Sequence, residues 1–292
     1  MKISFSPSHG LNAGLSKRET MRCMKRAGFD GIDLSMCRYM DEPEKLLTSE
    51  WTRDVTETAQ IARDEGLEIS QGHLPYFPGH TPNPGDGSPR AFSEHWLPLY
   101  RHALDAGAKA GCPVAVMHPM YMLEGFAQTV DANVFLLSEL INELKDMGVR
   151  VALENIFARR NRQYIGASVE KPETLVSVID RLGSPCVGAC LDTGHANIFR
   201  LNMSECARTL GSRLIALHVN TNAGEDEHAL PGAISAWCAR QDFPAFTQTL
   251  KEIGYKGAYN LELACSLLPP EAVQPYYSYC AAVARALANP PE

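Results

Sequence analysis

The residues with the clearest chemical potential sit in Val187-Gly-Ala-Cys-Leu-Asp-Thr-Gly-His195, where an apolar run of strand length stops at two metal-competent side chains, Asp192 and His195. An apolar run of that kind fits a parallel strand buried on both faces. Its carboxyl end is where α/β sheets and barrels carry their chemistry. Asp192 has a plainer role open to it as well, as the cap of a following helix. The same arrangement recurs along the chain. Segments that read as strands end in His73, His118, Glu154, Asp192, His218 and Glu262, while His195 and the pair Asp226 and His228 lie in the loops that follow the Asp192 and His218 segments. Of nine histidines, His73, His118, His195, His218 and His228 fall at one expected rim.

A divalent ion needs several converging oxygen and nitrogen donors, and rigid strands aim donors better than loops do. Glu154, Asp192, His218 and Glu262 supply three carboxylates and one imidazole, a mixture suited to Mn, Mg, Co or Zn. Four buried groups of this kind with no counter-ion would be costly, so a bound cation is the economical reading. His73, His118, Asp226 and His228 remain open between ligand, substrate contact and structural roles. The basic cluster Arg159-Arg160-Asn-Arg162 reads either as a solvated loop or as a grip on a phosphate or sugar acid, with Arg159 as the substrate-binding candidate.

The positioning elements alternate along the chain. Short strands are expected at Ile3–Ser6, Gly31–Leu34, Leu67–His73, Pro113–His118, Val149–Glu154, Val187–Asp192, Leu214–His218 and Ala258–Glu262. Helices are expected between them: Ser16–Ala27 with a Ser16/Glu19 capping box, Ser49–Glu65, Ser93–Ala110, Asp131–Met147, Pro172–Leu182, Ser204–Leu210, Phe243–Ile253 and Glu271–Leu287. Eight strand-then-helix units predict an α/β fold, a (β/α)8 TIM barrel with a closed, parallel, eight-stranded sheet forming a single domain over residues 1–292. The Pro- and Gly-dense stretch Pro75–Pro89 reads as a lid or binding loop.

Composition limits the function. The chain has 292 residues, 45% of them hydrophobic, and a formal charge of −7, which gives no overall attraction to nucleic acid or anionic membrane. No apolar run reaches the roughly eighteen residues of a membrane span, and no signal peptide is visible. Nine scattered cysteines without a Cys-x-x-Cys pair suggest reduced thiols and a cytoplasmic location. Tyr76-Phe77, Tyr121 and Phe157 follow strand ends and suit either sugar stacking or closure of the barrel top. Trp237, Tyr276 and Tyr277 are candidate subunit contacts of a homo-oligomer.

Glu154, Asp192-Thr-Gly-His195, His218, Asp226-Glu-His-Ala-Leu-Pro-Gly232 and Gly254-Tyr-Lys-Gly-Ala-Tyr-Asn-Leu-Glu262 together resemble the xylose isomerase-like TIM barrels. That superfamily holds sugar and sugar-phosphate isomerases and epimerases, inosose dehydratases and endonuclease IV. The epimerase pattern implies Glu154, Asp192, His218 and Glu262 as ligands of one divalent ion, Glu154 and Glu262 as proton carriers, and His195 as a holder of a substrate hydroxyl; His73 and His118 are further substrate-binding candidates. One departure stands out. Ketose epimerases of this kind carry an Arg six residues beyond the metal-binding His, where this chain has Gly224, followed by Asp226 and His228. The endonuclease IV pattern has nine ligands for three zinc ions, and His73, His118, Glu154, Asp192, His195, His218, Asp226, His228 and Glu262 match all of them. One to three ions are therefore compatible with the resemblance.

The expected chemistry is metal-assisted isomerisation or epimerisation of a ketose, sugar phosphate or related polyol through an enediolate, with an inosose dehydratase-like lyase and an abasic-DNA phosphodiesterase as alternatives. Duplex binding calls for many Lys and Arg contacts around the rim. Pro75–Pro89 has none, and Glu225, Asp226 and Glu227 fill the loop after strand seven, so a small sugar is favoured over nucleic acid.

Overall fold

A computed structural model of the chain describes residues 1–37, 42–76, 88–121, 125–160, 163–166, 168–233, 241–264 and 267–290. Its strands are β1 (Ile3–Phe5), β2 (Gly31–Ser35), β3 (Glu68–His73), β4 (Val114–Met117), β5 (Arg150–Glu154), β6 (Ala158–Arg160), β7 (Gln163–Ile165), β8 (Val187–Asp192), β9 (Leu214–His218) and β10 (Tyr259–Leu261). Eight of them pair in parallel in the order β10-β1-β2-β3-β4-β5-β8-β9. Between β9 and β10 the ring is joined by one bridge, Val219 to Leu261. There the Val219 amide donates to Asn260 O (2.8 Å) and the Glu262 amide to Val219 O (3.2 Å). This is the TIM barrel.

The helices are α1 (Ser8–Asn12), α2 (Lys17–Ala27), α3 (Ser49–Asp64), α4 (Pro89–Lys109), α5 (Phe126–Ser138), α6 (Ile141–Met147), α7 (Pro172–Leu182), α8 (Thr193–Ile198), α9 (Met203–Leu210), α10 (Phe243–Glu252) and α11 (Pro270–Ala288). The Ser16/Glu19 capping box opens α2 as its spacing indicates. Left-handed glycines at Gly148 and Gly183 end α6 and α7, a conformation that suits a residue without Cβ. All six residues of β8 are buried, which accounts for an uninterrupted apolar run in place of alternation.

Several boundaries differ from those read in the sequence. The helix expected over Asp131–Met147 is two helices, α5 and α6. The Ser138 hydroxyl donates to the Phe135 carbonyl (2.7 Å), a side-chain bond that competes with the helical ladder where α5 ends. α4 begins at Pro89, before Ser93, because Ser88 caps it and Pro89 sits in its first turn. The antiparallel pair β6–β7 and the short helix α1 were not expected, since none is long enough to show a period, whereas α8 is the helix that the capping role open to Asp192 implies. Tyr277 is not a subunit contact: it is fully buried, its hydroxyl accepting from the Gly10 amide (2.9 Å) and donating to Pro7 O (3.2 Å). Trp237 and most of Pro75–Pro89 lie outside the described residues.

Inside the ring, Val114, Val116, Ala152, Cys190 and Ala216 form a small apolar plug. The seven described cysteines are free thiols, and none of the described helices is long and apolar enough to cross a membrane. A polar layer also crosses the interior. Strand register sets Ser4 beside Asn260 and Asp33 beside Gln71, and all four are buried.

Close strand approach holds β3 in place next to His73. A Cβ at Gly72 would lie 2.8 Å from the Leu34 carbonyl and 3.0 Å from the Cys112 sulfur, so β2 would have to move. Gly72→Ala is expected to lower stability by about 1–3 kcal/mol, as overpacking does. A urea denaturation midpoint equal to that of the parent chain would show that the strands can part there without cost.

Candidate metal centre

β3, β5, β8 and β9 end at His73, Glu154, Asp192 and His218, while His118 and Glu262 come one residue after β4 and β10. His195 is the third residue of α8, and Asp226 and His228 lie in the loop beyond β9. The structure brings all nine to one end of the barrel. Glu154, Asp192, His195 and His218 are buried, and the Asp226 side chain, 28% exposed, is the one most open to solvent among the nine.

Ligand atoms of Glu154, Asp192, His218 and Glu262 all lie within 4.8 Å of one another. His218 Nδ1 is 3.0 Å from Glu154 Oε1 and 3.2 Å from Glu262 Oε2. Glu154 Oε2 and Glu262 Oε2 are buried and make no hydrogen bond among the described residues, although His118 Nε2 and His73 Nε2 stand 3.3 and 3.5 Å from the former. No described Lys or Arg forms an ion pair with Glu154, Asp192 or Glu262. Unbonded carboxylate oxygens aimed at a shared point, with one imidazole beside them, fit a divalent cation. A second grouping, Asp192, His195 and His228, also meets the 4.8 Å criterion. Beside it Asp226 Oδ1 lies 2.8 Å from His228 Nε2 and 3.5 Å from His195 Nε2.

Neighbouring polar groups orient these side chains. Asp192 caps α8, its Oδ1 accepting from the His195 amide (2.6 Å), and its Oδ2 accepts from Asn220 Nδ2 (2.8 Å). Capping and convergence thus coexist in one carboxylate. Asn155 ties β5 to β8 at the rim, its Oδ1 accepting from the Asp192 amide (2.7 Å) and its Nδ2 donating to Asp192 O (3.0 Å). His195 Nδ1 lies 2.9 Å from the Asn155 carbonyl, which leaves Nε2 facing Asp226. Gly194 is required here, because a Cβ would collide with Asn220 Oδ1.

Proton affinities reflect the crowding. Burial alone would lift the Glu154 carboxyl; His218 beside it and contacts from His118 and His195 outweigh burial and hold it well below the usual carboxylate range. Glu262 is likewise lowered against burial, by His218 and His228. Asp192 goes the other way: burial pushes it up to about 6, with Glu262 and Glu154 adding to the rise and His195 and His228 opposing it. Burial disfavours charge on His228, yet Glu262 and Asp226 outweigh it and raise the imidazole to about 10. His218 is raised well above the usual histidine range despite burial, by Cys190, Glu262 and Glu154. Without a cation, protons on the imidazoles balance the carboxylates.

Aromatic rings surround the cluster. Tyr76 stacks on His118 with ring centroids 4.7 Å apart, and Phe157 meets His195 edge-on at 5.1 Å. Tyr164 on β7 packs against Phe157, and its hydroxyl accepts from the Asp226 amide (2.8 Å), so the β6–β7 hairpin is tied to the loop beyond β9. Arg159 lies on β6, and its side chain, like Phe77 and Arg162, is outside the described residues. His9 is buried against Phe5 and Tyr276, with Nε2 3.1 Å from Ala264 O. Sequence reasoning missed Asn155, Asn220 and Asp33. Each had a signal: Asn155 follows Glu154, Asn220 stands two residues beyond His218, and Asp33 interrupts an apolar strand.

The xylose isomerase-like TIM barrel family model matches residues 21–275. An uncharacterised protein of Methanocaldococcus jannaschii is 29% identical over 169 residues, covering 56% of this chain and 54% of its own length, so the match spans about half of that relative. The D-psicose 3-epimerase of Enterocloster bolteae is 27% identical over 246 residues, 80% of this chain and 72% of that protein. A solved D-psicose 3-epimerase, in the presence of D-fructose, superposes with a TM-score of 0.71 at 16% identity, covering 99% of both chains. The chain belongs to the xylose isomerase-like TIM barrel family.

Proposed function

We propose that this chain, acting as one domain over residues 1–292, is a divalent-metal-dependent isomerase or epimerase of a ketose, sugar phosphate or related polyol. The observation that carries the proposal is the meeting of Glu154, Asp192, His218 and Glu262 within 4.8 Å, with one oxygen each of Glu154 and Glu262 lacking a hydrogen-bond partner among the described residues. The likeness to a D-psicose 3-epimerase supports a ketose substrate.

Glu154, Asp192, His218 and Glu262 would hold the ion, which when bound supplies Lewis-acid polarisation of a carbonyl and its neighbouring hydroxyl. Glu154 takes the proton from the carbon between them, since its buried carboxyl is kept ionised by the imidazoles around it. Glu262, arriving from β10 with β8 and β9 between it and β5, returns a proton from another direction. His195, fixed by the Asn155 carbonyl, holds a substrate hydroxyl. His73, its ring stacked on that of His218 with centroids 5.4 Å apart, and His118 both face Glu154 Oε2 and contact the sugar, with Tyr76 as a stacking face. Arg159 would grip an anionic substituent. In the loop beyond β9, Gly224 stands where related epimerases carry Arg, and Asp226 and His228 follow it, so substrate contacts there come from an acceptor and an imidazole. The Asp192, His195 and His228 grouping favours a second cation as an additional reading, with zinc the best fit to its two imidazoles.

Incubating metal-loaded protein with D-fructose, D-psicose, D-tagatose and their phosphates, and separately with abasic-site DNA, tests the reading. Interconversion of ketoses is expected; DNA cleavage without any sugar turnover would overturn it. Metal analysis of the same sample counts the ions. Glu154→Gln is expected to lower kcat by about 10²–10⁴-fold with an unchanged circular dichroism spectrum, and retained turnover would remove Glu154 as the base. Metal affinity should rise with pH. Below about 6 a proton sits on Asp192, and His218 and His228 hold theirs to higher pH, so protons compete with the cation in acid and are released on binding. Calorimetry in buffers of different ionisation enthalpy reads the released protons, and a pH-independent affinity would contradict the ligand set.

A further inference from the structure

We infer that Asp33 is a positioning residue that fixes the ring of His218 by accepting its Nε2–H. This rests on the reading of His218 as a metal ligand. The two nitrogens of the ring face opposite surroundings. Nδ1 looks into the carboxylate cluster, 3.0 Å from Glu154 Oε1 and 3.2 Å from Glu262 Oε2. Nε2 looks toward β2, where it is buried, has no hydrogen-bond partner among the described residues and stands 3.6 Å from Asp33 Oδ2.

Asp33 is built into place. It is 4% exposed, and no described Lys or Arg pairs with it. Its Oδ2 accepts from Gln71 Nε2 (2.9 Å) and Asn260 Nδ2 (2.8 Å), and Asn260 Oδ1 in turn accepts from Ser4 Oγ (2.7 Å). Gln71 Nε2 also donates to Leu217 O (3.2 Å), the residue before His218. Four strands thus hold one carboxylate beneath the ring. Two neutral amides satisfy part of its acceptor capacity, and Oδ1 is left without a hydrogen bond. A buried carboxylate in that condition is costly unless a donor on a cationic or metal-polarised group meets it.

A cation held at Nδ1 leaves the ring proton on Nε2 and makes it a stronger donor. The separation of 3.6 Å is just beyond hydrogen-bond range, so a shift of about half an ångström completes the contact. Metal-bound histidines characteristically donate their second N–H to such a partner, which sets the tautomer and ring orientation. The Cys190 thiol also engages His218, and the His73 ring stacks on its face with centroids 5.4 Å apart.

Asp33→Asn keeps an acceptor for Gln71 and Asn260 and removes the charge. Manganese affinity, from electron paramagnetic resonance titration of free Mn²⁺, is expected to fall about 10–100-fold, while the melting temperature of the metal-free protein stays near that of the parent chain. In zinc-loaded protein labelled with ¹⁵N-histidine, the parent should show zinc on His218 Nδ1 and a slowly exchanging, low-field Nε2–H signal that moves upfield in the variant. An affinity within twofold of the parent would overturn the inference alone, as would an Nε2–H signal lost in Cys190→Ala and kept in Asp33→Asn. Should Asp33→Asn not fold, the parent spectrum still decides: an exchange-labile Nε2–H, or zinc on Nε2, refutes the role. A parent chain that binds neither Mn²⁺ nor Zn²⁺ takes the functional reading down with it.

Discussion

Three carboxylates, Glu154, Asp192 and Glu262, are packed at the mouth of a barrel with no Lys or Arg among the described residues to pair with them. Charge taken out of water must be neutralised close by, and the surrounding imidazoles of His73, His195, His218 and His228 are what the fold offers. That requirement explains the opposed behaviour of the acids. Glu154 and Glu262, wrapped by histidines, stay ionised, while Asp192, buried with like charges near it, holds a proton up to about pH 6. The same cluster is thus poised to exchange protons for a cation.

Much of this was legible in the sequence because the barrel imposes a strict grammar. A doubly buried strand must be an apolar run, and the residue at its carboxyl end must face the mouth, so His73, Glu154, Asp192 and His218 announced their common location. What stayed hidden has equally physical causes. The β6–β7 hairpin has three residues a side, too short for alternation to register. The split between α5 and α6 falls at Glu139 and Leu140, with no Gly or Pro to mark it, so composition does not reveal it. Asp33 and Asn260 lie on different strands far apart in the chain, and only the register of β10, β1, β2 and β3 brings them together.

Support around the cluster is unevenly distributed. Asp192 has both oxygens engaged, by its own helix and by Asn220, and Asn155 locks β5 to β8 beside it. Glu262, one residue past a three-residue strand, has His228 and His218 as its flanking partners. His228 adopts a φ of +43°, a conformation costly for a side chain of its size, and its ring is held between Asp226 and Glu262. Rigidity thus gathers on the Asp192 side of the cluster and backbone strain at His228.

The bridge between Val219 and Leu261 is the thinnest joint in the ring, and the donor set straddles it: His218 precedes the joint on one side and Glu262 follows it on the other. An ion grasped by both would work as a clasp, converting a chemical ligand into a mechanical fastener for the whole cylinder. Breathing of the barrel wall and retention of the ion are then a single motion viewed from two ends.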